Sequence, residues 1–229
     1  MFYRTGLLLG ALAASACGGT GGTGGTGGTG GTGGTGGTGG TGGTGGTAAG
    51  PPAIRASFDT AIDGWSLRSF GTDANIFTVD PGLASQVTWD PTGGHPGGAL
   101  ARQDFIGETD YFETPAAFHG DLSPYYGGTI TFDLRDSSSD GPFNAPLLLL
   151  QGGGSMWRYD GGPNVATGWT TFSAPLSASA PGWTLVSTGA AATETGLRQS
   201  LGATTGLWLR AEFSNAQDNS WLDNVVVSR

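Results

Sequence analysis

The chain has 229 residues, 18 Asp and Glu against 9 Lys and Arg, and a formal net charge of −9. Every acid lies at or beyond Asp59 and there is no lysine. This excludes partners that need a basic surface, nucleic acid and anionic membranes among them. The single cysteine, Cys17, excludes an internal disulfide and a cysteine-rich zinc site.

The first segment reads as a targeting signal. Arg4 supplies a basic start. Leu7, Leu8, Leu9 and Leu12 form an apolar stretch too short to span a bilayer, and Ala14-Ser15-Ala16 are small residues that a signal peptidase accepts. Small residues directly before a lone cysteine resemble a bacterial lipobox, which implies cleavage before Cys17 and acylation of it. Such signals usually carry Leu where this chain has Ala14. Ordinary cleavage after Ala16 and free secretion is the alternative. Several acyl chains anchor a protein stably where one does not. Gly18, not Asp, follows the cysteine, which by resemblance to Gram-negative sorting signals implies the outer membrane or cell surface. Contact with the membrane would be through the lipid alone.

Residues 18–47 are ten Gly-Gly-Thr repeats. Two glycines in three leave nothing to bury, so 18–50 is expected to be a disordered linker. A collagen reading fails because the repeat lacks proline. Thirty such residues span roughly 30 Å as a random coil. Pro51-Pro52 stiffens the approach to the remaining segment, 51–229, which is of single-domain size.

From Pro52 onward the pattern is β. Short stretches rich in Val, Thr, Trp and Phe alternate with Gly, Pro, Asp and Asn. Strands are expected over Ile54–Phe58, Trp65–Phe70, Gln86–Trp89, Ala99–Asp104, Tyr111–Glu113, Gly128–Arg135, Pro146–Gln151, Ser155–Tyr159, Thr170–Ala174, Leu207–Phe213 and Trp221–Val227. Period-two alternation puts Ile130, Phe132 and Leu134 on one face. The run Leu147–Leu150 suits a strand buried on both faces. Gln151-Gly152-Gly153-Gly154 reads as a hairpin turn into Ser155–Tyr159. One helix is expected, capped by Thr193, with Leu197 and Leu201 on one side and Gly202 at its end. Many short strands and one short helix predict an all-β jelly-roll sandwich.

The order of motifs carries a resemblance. Phe58-Asp59 with Asp63-Gly64-Trp65 looks like the opening strand of a carbohydrate-binding-module-like sandwich. Gly94-His95-Pro96-Gly97-Gly98 resembles a Gly-Asn-Pro-Gly-Gly turn, with His95 in place of Asn. The segment from Thr114 to Ser123, then Tyr126 to Leu134, is similar to the hallmark of the laminin B (laminin IV type A) domain. Trp169-Thr170, the Thr193–Leu201 helix and Leu222-Asp223-Asn224-Val225 follow in that family's order. The resemblance covers about 56–228 and implies a galactose-binding-like sandwich with no catalytic motif. It also implies a structural calcium where first and last strands meet, with Asp59 and Asp223 standing where ligands would. Turn and strand-end hydrogen bonds are the competing use of these two residues.

The remaining chemistry is sparse. Only His95 and His119 offer a base for nucleophilic catalysis, and no Gly-x-Ser-x-Gly, His-Glu-x-x-His or phosphate loop occurs. Structural roles are expected for both histidines. Glu108 and Asp110 lie as an acidic pair in an expected loop, so glycoside hydrolysis is a remote alternative. Trp157 and Tyr159 share one side of a strand and Trp183 follows a Pro-Gly turn. Together they are candidate sugar-stacking residues, with core packing the competing role. The expected function is a non-catalytic, surface-tethered module that binds extracellular glycan or protein. A structural spacer at the envelope is the alternative. Labelling with a fatty-acid analogue should mark the wild type and not Cys17→Ser; equal labelling of both would remove the anchor.

Overall fold

The stretch Thr129–Asp136 shows how the sequence sets the architecture. Ile130, Phe132 and Leu134 alternate inward and are fully buried, while Thr129, Thr131 and Arg135 face outward. The computed structural model describes residues 50–70, 79–80, 87–103, 109–139, 144–164, 167–214 and 217–229. Expectations on the signal segment, Cys17 and the linker to residue 49 lie outside the described residues. So do those on Gln86, Asp104 and Glu108. Thr47–Arg229 forms a unit of its own.

The strands are β1 (Ile54–Ala56), β2 (Ser66–Phe70), β3 (Val79–Asp80), β4 (Val87–Asp90), β5 (Ala99–Gln103), β6 (Thr109–Glu113) and β7 (Thr129–Asp136). There follow β8 (Leu148–Gly152), β9 (Ser155–Tyr159), β10 (Thr170–Pro175), β11 (Trp183–Leu185), β12 (Thr204–Arg210) and β13 (Asn219–Ser228). The helix α1 (Glu194–Leu201) lies between β11 and β12. Two antiparallel sheets result. A six-stranded sheet runs β10-β7-β13-β5-β4, with β1 paired to the far end of β13. A seven-stranded sheet runs β11-β9-β8-β12-β6-β2-β3. This is the expected jelly-roll β-sandwich.

Two strands escaped the sequence reading. Strand β3 is two residues long, too short to show a period. Strand β11 follows Pro181-Gly182, where a loop was expected; Trp183 pairs with Tyr159 and turns inward. Strand β12 runs Thr204–Arg210 rather than Leu207–Phe213.

The core lies between the sheets. Phe132 and Phe172 stack at 5.6 Å, and Phe58, Trp65 and Phe118 form an edge-to-face chain at 5.4 Å per step. Such pairs add about 0.5–1.5 kcal/mol each beyond burial. Leu148 and Leu150 point into this core, while Leu149 points the other way, into a second cluster with Phe70, Tyr111 and Trp208. The continuous leucine run is thereby explained: its strand is buried on both faces. The helix begins where the Thr193 hydroxyl accepts the Gly196 N–H at 3.1 Å. It lies against β8 and β9, with Leu197 and Leu201 buried. Gly202 is its C-cap, in the right-handed region. A Cβ on Gly152 would stand 2.1 Å from the Ser200 carbonyl, so glycine is what lets helix and strand meet.

A buried ionic cluster joins the two sheets. Arg102, on β5, is 1% exposed. Its Nε donates to Asp110 on β6 at 2.8 Å and its Nη1 to Asp218 at 2.8 Å. Asp136, at the end of β7, is buried beside Asp218. Burial pushes its carboxyl up to about 7, a Ser138 N–H pulls it down, and the Asp218 charge raises it again. The folded carboxyl keeps its proton to about pH 7, whereas an unfolded one releases it near 3.8. Its stabilising contribution is therefore complete below the ordinary range and is lost as pH rises through about 7. Thermal melts should show wild-type stability losing this part between about pH 4 and 7. Asp136→Asn should lack that loss and melt higher than wild type at pH 8; identical pH profiles would contradict the assignment.

Candidate functional site

The structure corrects the expected stacking platform. Trp157, Tyr159 and Trp183 are 5%, 7% and 2% exposed and belong to the core between the sheets. Trp157 Nε1 donates to Ser200 Oγ at 2.8 Å, and Trp183 Nε1 to the Pro175 carbonyl at 2.6 Å. The shared side of Trp157 and Tyr159 is real, but it is the inward side: Trp157 pairs with Leu150 and Tyr159 with Leu148, both core residues. A sugar cannot stack on a ring that is already covered.

Asp59 and Asp223 do come to one place, on either side of the Gly94–Gly98 turn. Asp223, on β13, is fully buried. Its Oδ2 accepts the His95 N–H at 2.6 Å and its Oδ1 the Asn224 N–H at 2.7 Å. Burial pushes the Asp223 carboxyl up, the two N–H bonds oppose this, and the charges of Asp133 and Asp59 raise it further. Asn224 donates from Nδ2 to the His95 carbonyl at 2.6 Å and to Asp133 Oδ2 at 3.0 Å. The His95 ring lies 3.1 Å from Asp133 through Nδ1. Asp59 accepts from Ser57 Oγ at 2.8 Å. A Cβ on Gly97, where φ is +86°, would stand 2.4 Å from Asp59 Oδ1. The turn thus sits against that carboxylate at a distance only glycine allows.

Calcium needs six to eight oxygens facing the ion. Here backbone N–H groups from His95 and Asn224 already point at the Asp223 carboxylate. Among the described residues no group of three or more His, Cys, Asp or Glu is arranged for a metal. As placed, both oxygens of Asp223 are taken by a hydrogen-bonded clasp on the turn, while Asp59 is held by Ser57 and packs against Gly97.

The outer face of the six-stranded sheet carries a stack that the sequence reading missed. Arg135 projects outward from β7, with Trp221 of β13 opposite it in register. Trp169 stands just before β10, on the other side of β7. The guanidinium carbon lies 4.2 Å from the Trp221 centroid and 5.3 Å from that of Trp169. The His95 ring is parallel to Trp169 at 5.7 Å. Trp221 Nε1 donates to Asp90 at 3.2 Å. Alternation along β7 and β13 was the available signal. It turns Asp133 and Arg135 away from Phe132 and Leu134, and Trp221 away from Leu222.

A groove opens at the β8–β9 side of the seven-stranded sheet. One hollow of about 420 Å³ is lined by Asn144, Asp160, Asn164, Arg210 and Phe213, with glycines 161 and 162 between them. A second, about 480 Å³, is lined by Arg158, Asp160, Thr184, Ser187 and Thr188. Asp160 belongs to both. Arg158 Nε pairs with it at 2.6 Å. Arg210 Nη1 donates to the Ala145 carbonyl at 3.0 Å, and its guanidinium lies 4.4 Å from the Phe213 centroid. Asn144, Asp160, Asn164, Ser187 and Thr188 are exposed. The lining therefore offers hydroxyl, amide and carboxylate groups whose nearby cations are already engaged.

Among the described residues, the side chains weighed for catalysis have other partners. His119 Nε2 lies 3.1 Å from Thr114 Oγ1, a base beside a hydroxyl, but Thr114 is 2% exposed and its hydroxyl donates to the Leu207 carbonyl at 3.0 Å. Burial pushes the His119 imidazole down, with Glu113 opposing. Asp110 is buried and held by Arg102 and Ser69. The histidines thus have structural partners, as expected.

The family model described as "Laminin B (Domain IV)" matches residues 111–228. Among solved structures, the L4b domain of human laminin alpha-2 is similar at 12% identity and a TM-score of 0.57, over 77% of this chain and 98% of that one. The family 11 carbohydrate-binding module of the Clostridium thermocellum cellulase Lic26A-Cel5E aligns at 14% identity and a TM-score of 0.47, over 77% and 94%. A family 30 carbohydrate-binding module of a cellulosomal cellulase from the same organism aligns at 15% identity and 0.48, over 78% and 99%. No curated protein matches by sequence.

The clasp makes a measurable statement. EGTA should leave the wild-type melting midpoint unchanged. Asp223→Ala should lower stability by about 2–4 kcal/mol, because it strands two N–H groups. A midpoint that falls on chelation would place a cation among these carboxylates.

Proposed function

Since the chain belongs to the laminin B (domain IV) family, we propose that it is a non-catalytic binding module that holds extracellular glycan in the groove around Asp160. The observation that carries this reading is the pair of hollows meeting at one exposed carboxylate, walled by hydroxyl and amide side chains. A sugar presents adjacent hydroxyls, and a carboxylate accepts two of them at once. Hydrogen bonds to a charged group are worth about 1.5–3 kcal/mol where neutral ones give less. Phe213 adds an apolar floor beside these polar groups. The engaged state of Arg158 and Arg210 leaves no uncompensated cation in the groove, which favours a neutral ligand.

The site would be displayed outside the cell. Support comes from the targeting segment, the cysteine that follows it and the Gly-Gly-Thr repeats. An acylated Cys17 would fix one end, and the repeats would let the domain search roughly 30 Å around it. A tether of that kind raises the local concentration of a binding module near surface ligands. Among the described residues no helix is long and apolar enough to cross a membrane.

The test is binding of the full chain to a panel of neutral polysaccharides, by pull-down and then calorimetry. Asp160→Ala should weaken binding at least about 10-fold with an unchanged melting curve, since both members of the Arg158–Asp160 pair are partly exposed. Absence of any polysaccharide binding, or binding indifferent to Asp160→Ala, would remove this reading.

A further inference from the structure

Arg135 is out of place in an acidic domain. Arg68, Arg102, Arg158 and Arg198 each meet a carboxylate. Arg135 meets two indoles instead, Trp221 on one side of its strand and Trp169 on the other. Its Nε is buried and has no hydrogen-bond partner. Among the described residues the guanidinium makes no ion pair.

The neighbouring acids are committed elsewhere. Asp133, two residues before Arg135 on the same face, accepts from Thr171 at 2.6 Å, from Asn224 at 3.0 Å and lies 3.1 Å from His95. Burial pushes the Asp133 carboxyl up, but these three bonds outweigh it and hold the group below its ordinary range, so it stays charged and occupied. Asp90 is engaged by Thr92 and by Trp221 Nε1. Asp223 is buried and faces two backbone N–H groups. Each of these acids therefore has a prior use, and the fork of Arg135 keeps its capacity.

A guanidinium held between two aromatic planes is ordered before any ligand arrives, which lowers the entropic cost of binding. The rings also exclude water from its faces and leave only the in-plane edge for donation. That edge is a planar fork and matches a planar carboxylate through two parallel hydrogen bonds. The slot between the indoles suits a flat group better than a tetrahedral one. Arg135, Trp169 and Trp221 are each only partly buried, and the edge that the outer face can reach is that of the two Nη atoms, Nε being covered.

We infer that Arg135, clamped between Trp169 and Trp221, is a second binding site, one that takes the carboxylate of a uronic-acid-bearing glycan. The inference rests on the reading of the domain as a glycan-binding module, but it uses the opposite sheet from the Asp160 groove. The net charge of −9 repels carboxylated and sulfated chains alike at long range, so uronate is told from sulfate only by the fit of the planar fork at short range.

The experiment is a titration of the full chain, labelled with ¹⁵N at tryptophan, with galacturonic-acid oligomers, neutral galactose oligomers, sulfated galactan and a glutamate-rich peptide. The uronate oligomers should move the indole N–H signals of Trp169 and Trp221 and leave those of Trp157 and Trp183 in place. Arg135→Lys keeps the charge and removes the fork; it should weaken uronate binding at least 10-fold with an unchanged melting curve. Should that variant fold poorly, the wild-type signals decide alone. Unmoved Trp169 and Trp221 signals, or equal affinity in Arg135→Lys, would overturn the proposal. So would sulfated galactan or the peptide binding as tightly as the uronate. Asp160→Ala separates the two sites: it should spare uronate binding while weakening that of neutral glycan at least about 10-fold. Loss of neutral binding alone in the panel would remove the groove and leave this site standing.

Discussion

Strand β13 must face the core twice, out of step. Leu222, Val225 and Val227 are all fully buried, yet Leu222 and Val225 are three residues apart, which a period of two cannot place on one face. The difference is absorbed at Asn224, which takes φ of 52° where the register against β7 shifts between Asp223 and Val226. Asparagine tolerates the left-handed region better than most residues. That single irregularity lets β13 pair with β7 along one side and with both β5 and β1 along the other. It also turns Asp223 outward beneath the Gly94–Gly98 turn. Without it, either the second half of β13 or the clasp on the turn would face the wrong way.

The two sheets are then held by different means at different places. Between them lies an aromatic and leucine core, supplemented by Arg102, whose fully buried guanidinium reaches from one sheet to a carboxylate on the other. Removing one partner from such a pair costs about 3–5 kcal/mol, because a charge is left uncompensated. With Cys17 as its sole cysteine, the chain has no disulfide to do this work. The helix closes the sandwich beside β8 and β9, fixed by the Trp157–Ser200 hydrogen bond and the close approach at Gly152.

Much of the fold was legible in the sequence, because alternation and turn residues are local. Strand β7, the leucine run and the Thr193-capped helix were each read from a few neighbouring residues. The site was less so. Trp157 and Tyr159 were correctly placed on a common side, but which side faces water depends on the partner strand, and that is not written locally. Asp59 and Asp223 were brought together by the family resemblance, but their use was not legible: whether a carboxylate meets a cation or an N–H depends on the backbone of a distant turn. Arg135 and Asp160 went unnoticed because a single charged residue in a strand or a loop carries no pattern of its own. Their interest arises only from what is packed beside them.

The indoles are divided unevenly between the two sides of the sandwich. Trp65, Trp157, Trp183 and Trp208 are at most 5% exposed, whereas Trp89 is 40% exposed and Trp169 and Trp221 are partly so. The accessible ones all belong to, or adjoin, the six-stranded sheet. The intrinsic fluorescence of the domain is consequently two signals in one. A blue-shifted component, shielded from aqueous quenchers, reports the integrity of the core. A quencher-sensitive component reports one outer face, and the neighbouring guanidinium and imidazole tune it directly.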